Sequence, residues 1–434
     1  MVVGTIIGAS IFVQPSLVSG AVPSITGMFL VWATAGVLTI IGALVAAELA
    51  SAYPGTGGVY VFLRESYSPA LGFLWCWAMF WSMHTGIIAV IAMVCARYIG
   101  FFVPLDHTGL RIAAIAVILV LSAVNYVGVR YGAAVQTTFT IIKVAAIAVI
   151  AVGGLWLGWG MASASTQASP AVATALPALG PFLTATVAGL FAFGGWHMVT
   201  YTGDETVDAR RTIPRALLIG TLIVTVSYIA VNAAYLAVLP PAEMAASSRV
   251  AADFADRIVG SGGAAAVSAL VVLSTLGALT GIILTGPRVY LAAARDGLLV
   301  RWLGDVHPRF GTPHHALAIQ AVWACVLVAT GSYRALFTRV VYTEWIFFGL
   351  MAAGTFILRR RASYAPAYQA WGHPVSTIIF ITATTAIVIH QIVVEPTESI
   401  IGLLIVLAGL PLYYLRVSRF SRRASPRPVS NADR

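Results

Sequence analysis

Charge is the scarcest thing in this chain: 9% of its 434 residues are Asp, Glu, Lys or Arg, and a single lysine, Lys143, stands among the 25 basic residues. So little charge, beside 59% hydrophobic residues and a mean hydropathy of +0.91, excludes a water-soluble fold. Cysteine is nearly absent too. Cys76, Cys95 and Cys325 all lie within or at the end of apolar runs, so no disulfide framework or metal site is expected, and no cofactor. The histidines and acidic residues are scattered over separate segments without the spacing of a nucleophile, base or ligand set, which weighs against an integral membrane enzyme. No ring of like charges suggests a channel.

What the chain does have is long apolar runs. At about 20 residues per bilayer crossing, they predict spans near 1–19, 26–50, 71–98, 111–129, 135–157, 182–202, 215–239, 263–293, 315–331, 336–358, 374–394 and 399–416. Twelve helices put both termini on one side. With that side cytoplasmic, eighteen of the arginines fall on inner loops and the tail, Arg288 counted among them. Six fall outside: Arg97, Arg111, Arg249, Arg257, Arg334 and Arg339. This is the positive-inside bias of a multi-pass protein of the cell inner (plasma) membrane. The formal charge of +10 then follows from topology and anionic lipid, and nucleic acid is not an expected partner. Residues 418–434 read as a basic, disordered cytoplasmic tail.

Two of the apolar runs are interrupted by small residues at matching places. The first interruption is Gly4-Thr5-Ile6-Ile7-Gly8-Ala9-Ser10-Ile11-Phe12; the second is Phe191-Ala192-Phe193-Gly194-Gly195-Trp196. Glycine-broken segments in corresponding positions of two halves point to the substrate site of a secondary transporter. Backbone freed from a helix at membrane depth is tolerated only where it lines a cavity or is buried in protein. A helix broken in mid-membrane needs roughly 10 residues on each side, yet Met1, Val2 and Val3 alone precede Gly4. The expectation is that the natural start lies about ten to twenty-five residues upstream and that Met1 is internal or misassigned.

Between the spans, Tyr53-Pro54 to Tyr60 reads as a turn leading into a short amphipathic segment through Arg64 and Glu65. Trp159 to Pro181, uncharged and rich in Ala, Ser and Thr, reads as a flexible outer connection. Pro214 is expected in the first turn of the seventh helix. Asp253, Asp256 and Arg257 read as a solvated short helix. Glu48 is expected to pair with an arginine of the adjacent linker, while Glu344 is the better candidate for a functional carboxylate. His84 and Asn125 read as satisfied core polar groups.

The run Val3 to Phe12, the linker Tyr53-Pro54 to Tyr60, Phe139-Thr140-Ile141-Ile142-Lys143, Phe191 to Trp196 with Asp204-Glu205 and Ile213-Pro214-Arg215, and Leu273 to His307-Pro308 together resemble the amino acid, polyamine and organocation (APC) superfamily. Within it the chain is most similar to the L-type amino acid transporters and their bacterial relatives. The resemblance covers nearly the whole chain and rests on the order and spacing of several motifs. It implies an all-α integral membrane fold of about 12 helices. These form a five-plus-five inverted repeat, LeuT-like, with two extra helices and with the first and sixth unwound mid-membrane. Repeat one then occupies 1–157, repeat two 182–358 and the peripheral helices 374–416, a permease domain of 1–417.

An α-amino acid presents one anion and one cation at fixed separation. Free N–H groups of Gly8, Ala9 and Ser10 at a helix start suit the carboxylate. Carbonyls around Ile6, Phe191 and Gly194 suit the ammonium. The family's usual Gly-Ser-Gly is Gly8-Ala9-Ser10 here, so Ser10 either intrudes on the substrate or adds a donor to it. Phe191 resembles the family's aromatic gate. His197 either touches the substrate side chain or satisfies a neighbouring carbonyl.

An ammonium at membrane depth costs at least about 2.5–3.5 kcal/mol and is normally paired and functional. By the resemblance, Lys143 contacts backbone near Gly4 or Gly8 and substitutes for a sodium ion between the first and eighth helices. The chain is therefore expected to be a sodium-independent amino acid exchanger working by alternating access, with proton-coupled symport as the alternative. The loop Gly100 to Leu110 holds no cysteine, so no covalent protein partner is expected; the partners are the amino acid substrate and membrane lipid.

Overall fold

The computed structural model describes residues 1–165, 176–331 and 333–424, and among them every regular element is helical. In chain order these are α1 (Val2–Ile6), α2 (Gln14–Ala21), α3 (Ile25–Ala52), α4 (Val59–Ser66), α5 (Pro69–Ala78), α6 (His84–Ile99), α7 (His107–Val127), α8 (Val129–Ser165) and α9 (Leu179–Ala192). There follow α10 (Ala209–Val238), α11 (Pro241–Ala246), α12 (Val250–Val259), α13 (Ser261–Arg295), α14 (His314–Thr330), α15 (Tyr333–Leu358), α16 (Val375–Val394), α17 (Pro396–Leu407) and α18 (Gly409–Ala424). Among the described residues nine helices are long and apolar enough to cross a membrane, and His314–Thr330 and Tyr342–Leu358 are shorter apolar helices. The protein is a multi-pass membrane protein.

Local chemistry sets the helix ends. Ser24 caps α3 by accepting the Gly27 N–H at 3.1 Å, and Asp106 caps α7 through Gly109 N–H at 2.7 Å. Ser68 caps α5 with Pro69 in its first turn. Burial then sorts the bundle: the apolar window of Pro69–Ile99 is 89% buried and that of His107–Val127 only 22%, so the first is central and the second faces lipid. Packed around the centre, α3 lies along α10, α10 against α8, and α13 against both α6 and α8.

Several expectations need adjustment. Pro214 sits inside α10 rather than in its first turn, because the Asp208 carbonyl already accepts the N–H groups of Arg211 and Thr212 and starts the helix at Ala209. Arg288 belongs to α13, not to a loop; its buried guanidinium grips Glu205 with bonds of 2.8 and 2.7 Å. Trp159 to Ser165 prolong α8 instead of opening a loop, and 166–175 of that connection lie outside the described residues. The backbone stays helical to Ala424, and 425–434 lie outside the described residues. Glu48, fully buried, pairs not with the linker but with Arg359, at 2.8 and 2.5 Å, and also accepts from Tyr364 Oη and Ala370 N–H. Arg64 turns instead to Glu65 and Asp296, and the Tyr60 hydroxyl donates to the same Asp296 at 2.5 Å.

Candidate functional site

Both glycine-marked runs lose their helical ladder. In the first, α1 stops at Ile6, a short 3₁₀ turn covers Ser10–Phe12, and α2 restarts at Gln14 with Pro15 in its first turn. In the second, α9 runs through Phe191 and Ala192 before Gly194 and Gly195 interrupt it, and a 3₁₀ stretch, Trp196–Glu205, follows. Gly195 takes φ +92°, a left-handed conformation that a side chain disfavours. A Cβ there would also stand 3.1 Å from the Thr5 carbonyl oxygen.

The two breaks meet. Thr5 Oγ1 donates to Gly195 O at 3.2 Å, and the buried Tyr228 hydroxyl of α10 lies 3.1 Å from both Ile6 O and Ala192 O. Ser274 of α13 donates to Gly8 O at 3.3 Å. Lys143, 1% exposed, sends its Nζ from α8 to Gly4 O at 2.9 Å and Ile7 O at 2.7 Å. With α1 ended at Ile6, these carbonyls have lost the amides four residues on that a continuous helix would offer, and the ammonium replaces them. Gly4 permits this approach: a Cβ on it would run into Thr140 of α8.

An enclosed cavity of about 20 Å³, room for a water molecule, opens between the breaks. Of the residues singled out in the sequence, Ile6, Gly8, Ser10, Phe191 and Gly194 line it; Ala9 and His197 do not. The N–H groups of Gly8, Ala9 and Ser10 donate to nothing among the described residues, and neither does the Ser10 hydroxyl. His197 is buried in an aromatic nest of Trp75, Trp196, Tyr201 and Phe348, its ring nitrogens without partners among the described residues. The reading in which it satisfies a carbonyl is therefore not realised. His84 and Asn125 are core groups satisfied only in part: His84 Nε2 bonds Ile282 O and Asn125 Nδ2 the Leu121 and Thr280 carbonyls, while His84 Nδ1 and Asn125 Oδ1 have no partner among the described residues.

A family model for amino acid permeases matches residues 1–410. The chain belongs to the amino acid permease family. The permease is 31% identical to the large neutral amino acids transporter small subunit 2 of Homo sapiens, over 96% of this chain and 78% of that one. It is 30% identical to the b(0,+)-type amino acid transporter 1 of Mus musculus, over 96% and 86%. To the Asc-type amino acid transporter 1 of Homo sapiens it is 30% identical, over 96% and 80%. As a permease it moves amino acids across the membrane and is not an enzyme.

Two features of the permease's site, a tyrosine clamp and an aromatic group, escape a linear reading, whereas Glu344 is the carboxylate the sequence singled out. Tyr228 clamps both breaks from the middle of an otherwise ordinary apolar helix. Trp196, Trp345 and Phe348 line the cavity together, with ring centroids 5.1 Å apart for Trp196–Phe348 and 5.8 Å for Trp345–Phe348. Glu344, one residue before Trp345, lines it as well. A carboxylate within an apolar run was the available signal for Glu344, but nothing local marks the aromatic group or Tyr228.

Proposed function

We propose that the permease is a sodium-independent amino acid exchanger working by alternating access, with the substrate backbone held at the two breaks. In this reading the Gly8, Ala9 and Ser10 amides take the carboxylate, carbonyls around Ile6, Phe191 and Gly194 take the ammonium, and Phe191 is the lid. The observation that carries it is Lys143 Nζ on Gly4 O and Ile7 O: a fixed positive charge already sits against the unwound first helix, where a coupling cation would otherwise be needed.

The architecture behind this reading is a five-plus-five, LeuT-like inverted repeat, 1–157 and 182–358, with 374–416 peripheral. Among the described residues, nine long apolar helices, two shorter ones and the broken run through α1 and α2 support twelve crossings. The arginine distribution supports cytoplasmic termini in the plasma membrane. One relative is named a small subunit. For this chain no disulfide-linked partner is proposed: residues 100–106, between α6 and α7, contain no cysteine, and Cys76 and Cys95 are buried.

The test is uptake of labelled amino acids by proteoliposomes of the purified permease. Uptake is expected to require internal unlabelled amino acid and to be equal in sodium and choline. Accumulation into empty vesicles driven by a pH gradient would favour the proton symporter instead.

A further inference from the structure

We propose that Glu344 reads the substrate side chain, and that the preferred substrate is an amino acid whose side chain ends in an organic cation. The inference rests on the cavity being the amino acid site. Glu344 is 6% exposed and lines the cavity from α15, and no hydrogen bond or ion pair reaches its carboxylate among the described residues. That sets it apart from the other buried carboxylate among the described residues. Glu48, a structural group, is fully enclosed by Arg359, Tyr364 and the Ala370 N–H. A buried carboxylate without a partner is costly, and the cost falls when a cation arrives to pair with it.

Among the described residues no lysine or arginine near the site is free to be that cation, and His197, unpartnered in its aromatic nest, does not line the cavity. Lys143 is committed to Gly4 O and Ile7 O, and Arg288 to Glu205. Nor does the substrate backbone call for Glu344, since amides and carbonyls at the breaks provide for its carboxylate and ammonium. What remains is the side chain.

The aromatic lining decides between an organic cation and a bare proton. Trp196, Trp345 and Phe348 pack ring against ring around the same cavity. Aromatic side chains lining a cavity beside an unpaired carboxylate suit an ammonium or guanidinium carried on an apolar stem. A proton on the carboxyl would use none of that surface. An apolar substrate side chain would fill it but strand the carboxylate.

L-arginine and its uncharged analogue L-citrulline are the probes, each measured as exchange by the full-length permease in proteoliposomes, with L-leucine as a third substrate. The wild type is expected to favour arginine over citrulline by about 100-fold in apparent affinity, the usual scale for a desolvated charge pair. Glu344→Gln should bring that ratio to within a few-fold by weakening arginine alone, and Glu344→Asp should restore part of it; continued citrulline or leucine exchange by the Gln variant shows that it folds. A wild type that prefers leucine or citrulline, or a ratio unchanged in Glu344→Gln, overturns the proposal. So does pH-gradient-driven accumulation of leucine that Glu344→Gln abolishes, because the carboxylate is then carrying a proton. A wild type that exchanges no amino acid at all overturns instead the reading of the cavity on which the proposal stands.

Discussion

Replacing Lys143 tests the centre of the functional reading. Its Nζ bonds Gly4 O at 2.9 Å and Ile7 O at 2.7 Å, and both carbonyls face it because α1 ends between them. Lys143→Met keeps most of the apolar stem and removes only the charged donor, so it separates the hydrogen bonds from the packing that Lys143→Ala would also lose. Each buried carbonyl left without a donor costs about 1–3 kcal/mol, or about 2–6 kcal/mol for the pair. That cost falls on the five-residue α1, which has little cooperativity of its own to absorb it. The expected result is a lowered melting temperature in detergent and loss of exchange in proteoliposomes for both variants, while the wild type exchanges equally in sodium and choline. Undiminished exchange by Lys143→Met, or stimulation of the wild type by sodium, would falsify the assignment.

Gly195→Ala should insert in the membrane yet transport poorly, because the left-handed backbone costs a side chain about 1–2 kcal/mol and the new methyl crowds Thr5 O at 3.1 Å; wild-type exchange by this variant would remove the second break from the site. Tyr228→Phe deletes the hydroxyl shared by Ile6 O and Ala192 O, and a loss of about 1–3 kcal/mol should appear as slower exchange and weaker substrate affinity. Unchanged exchange kinetics would show that the clamp is idle. Arg359→Met leaves Glu48 charged and fully buried, a cost of about 3–5 kcal/mol, so its Tm should fall sharply and the double variant with Glu48→Gln should recover much of the loss. A single variant that melts like the wild type would argue against that ion pair as a structural tie.

The sequence is most informative where one residue type has a single physical use. Apolar runs of bilayer length can only be helices that cross or line the membrane, so the described helices fall close to the predicted spans. Glycine pairs within such runs have few uses, and both mark real breaks. Even there the boundary is misjudged by composition: Phe191 and Ala192 are tolerable helix formers, so α9 continues through them and only Gly194-Gly195 stops it. What stays hidden depends on distance along the chain. Glu48 meets Arg359, and Trp196 meets Phe348, across long sequence separations that carry no period. Pro214 misleads because the Asp208 cap upstream overrides the preference of proline for a first turn.

The hydrogen bonding of the breaks is lopsided, and that asymmetry bears on the chemistry of the ligand. Four side chains, Thr5, Lys143, Tyr228 and Ser274, are spent on carbonyls of the unwound segments. None is spent on the amides of Gly8, Ala9 and Ser10. Buried N–H groups are rarely left unpaired, since each costs about 1–3 kcal/mol. Three adjacent ones beside a cavity with room for a water molecule have a natural partner in an acceptor that comes and goes. An α-carboxylate offers several lone pairs in one compact group, enough to accept from adjacent amides at once. Acceptors for an ammonium remain on the facing carbonyls: Ile6 O keeps a second lone pair beside the Tyr228 hydroxyl, and Phe191 O keeps one beside the Gly194 N–H. The carbonyl side is thus held by the permease's own hydroxyls and one lysine, and in the proposed reading the amide side is the part left to the substrate. That division supports carboxylate recognition at the first break as the step that distinguishes a loaded carrier from an empty one.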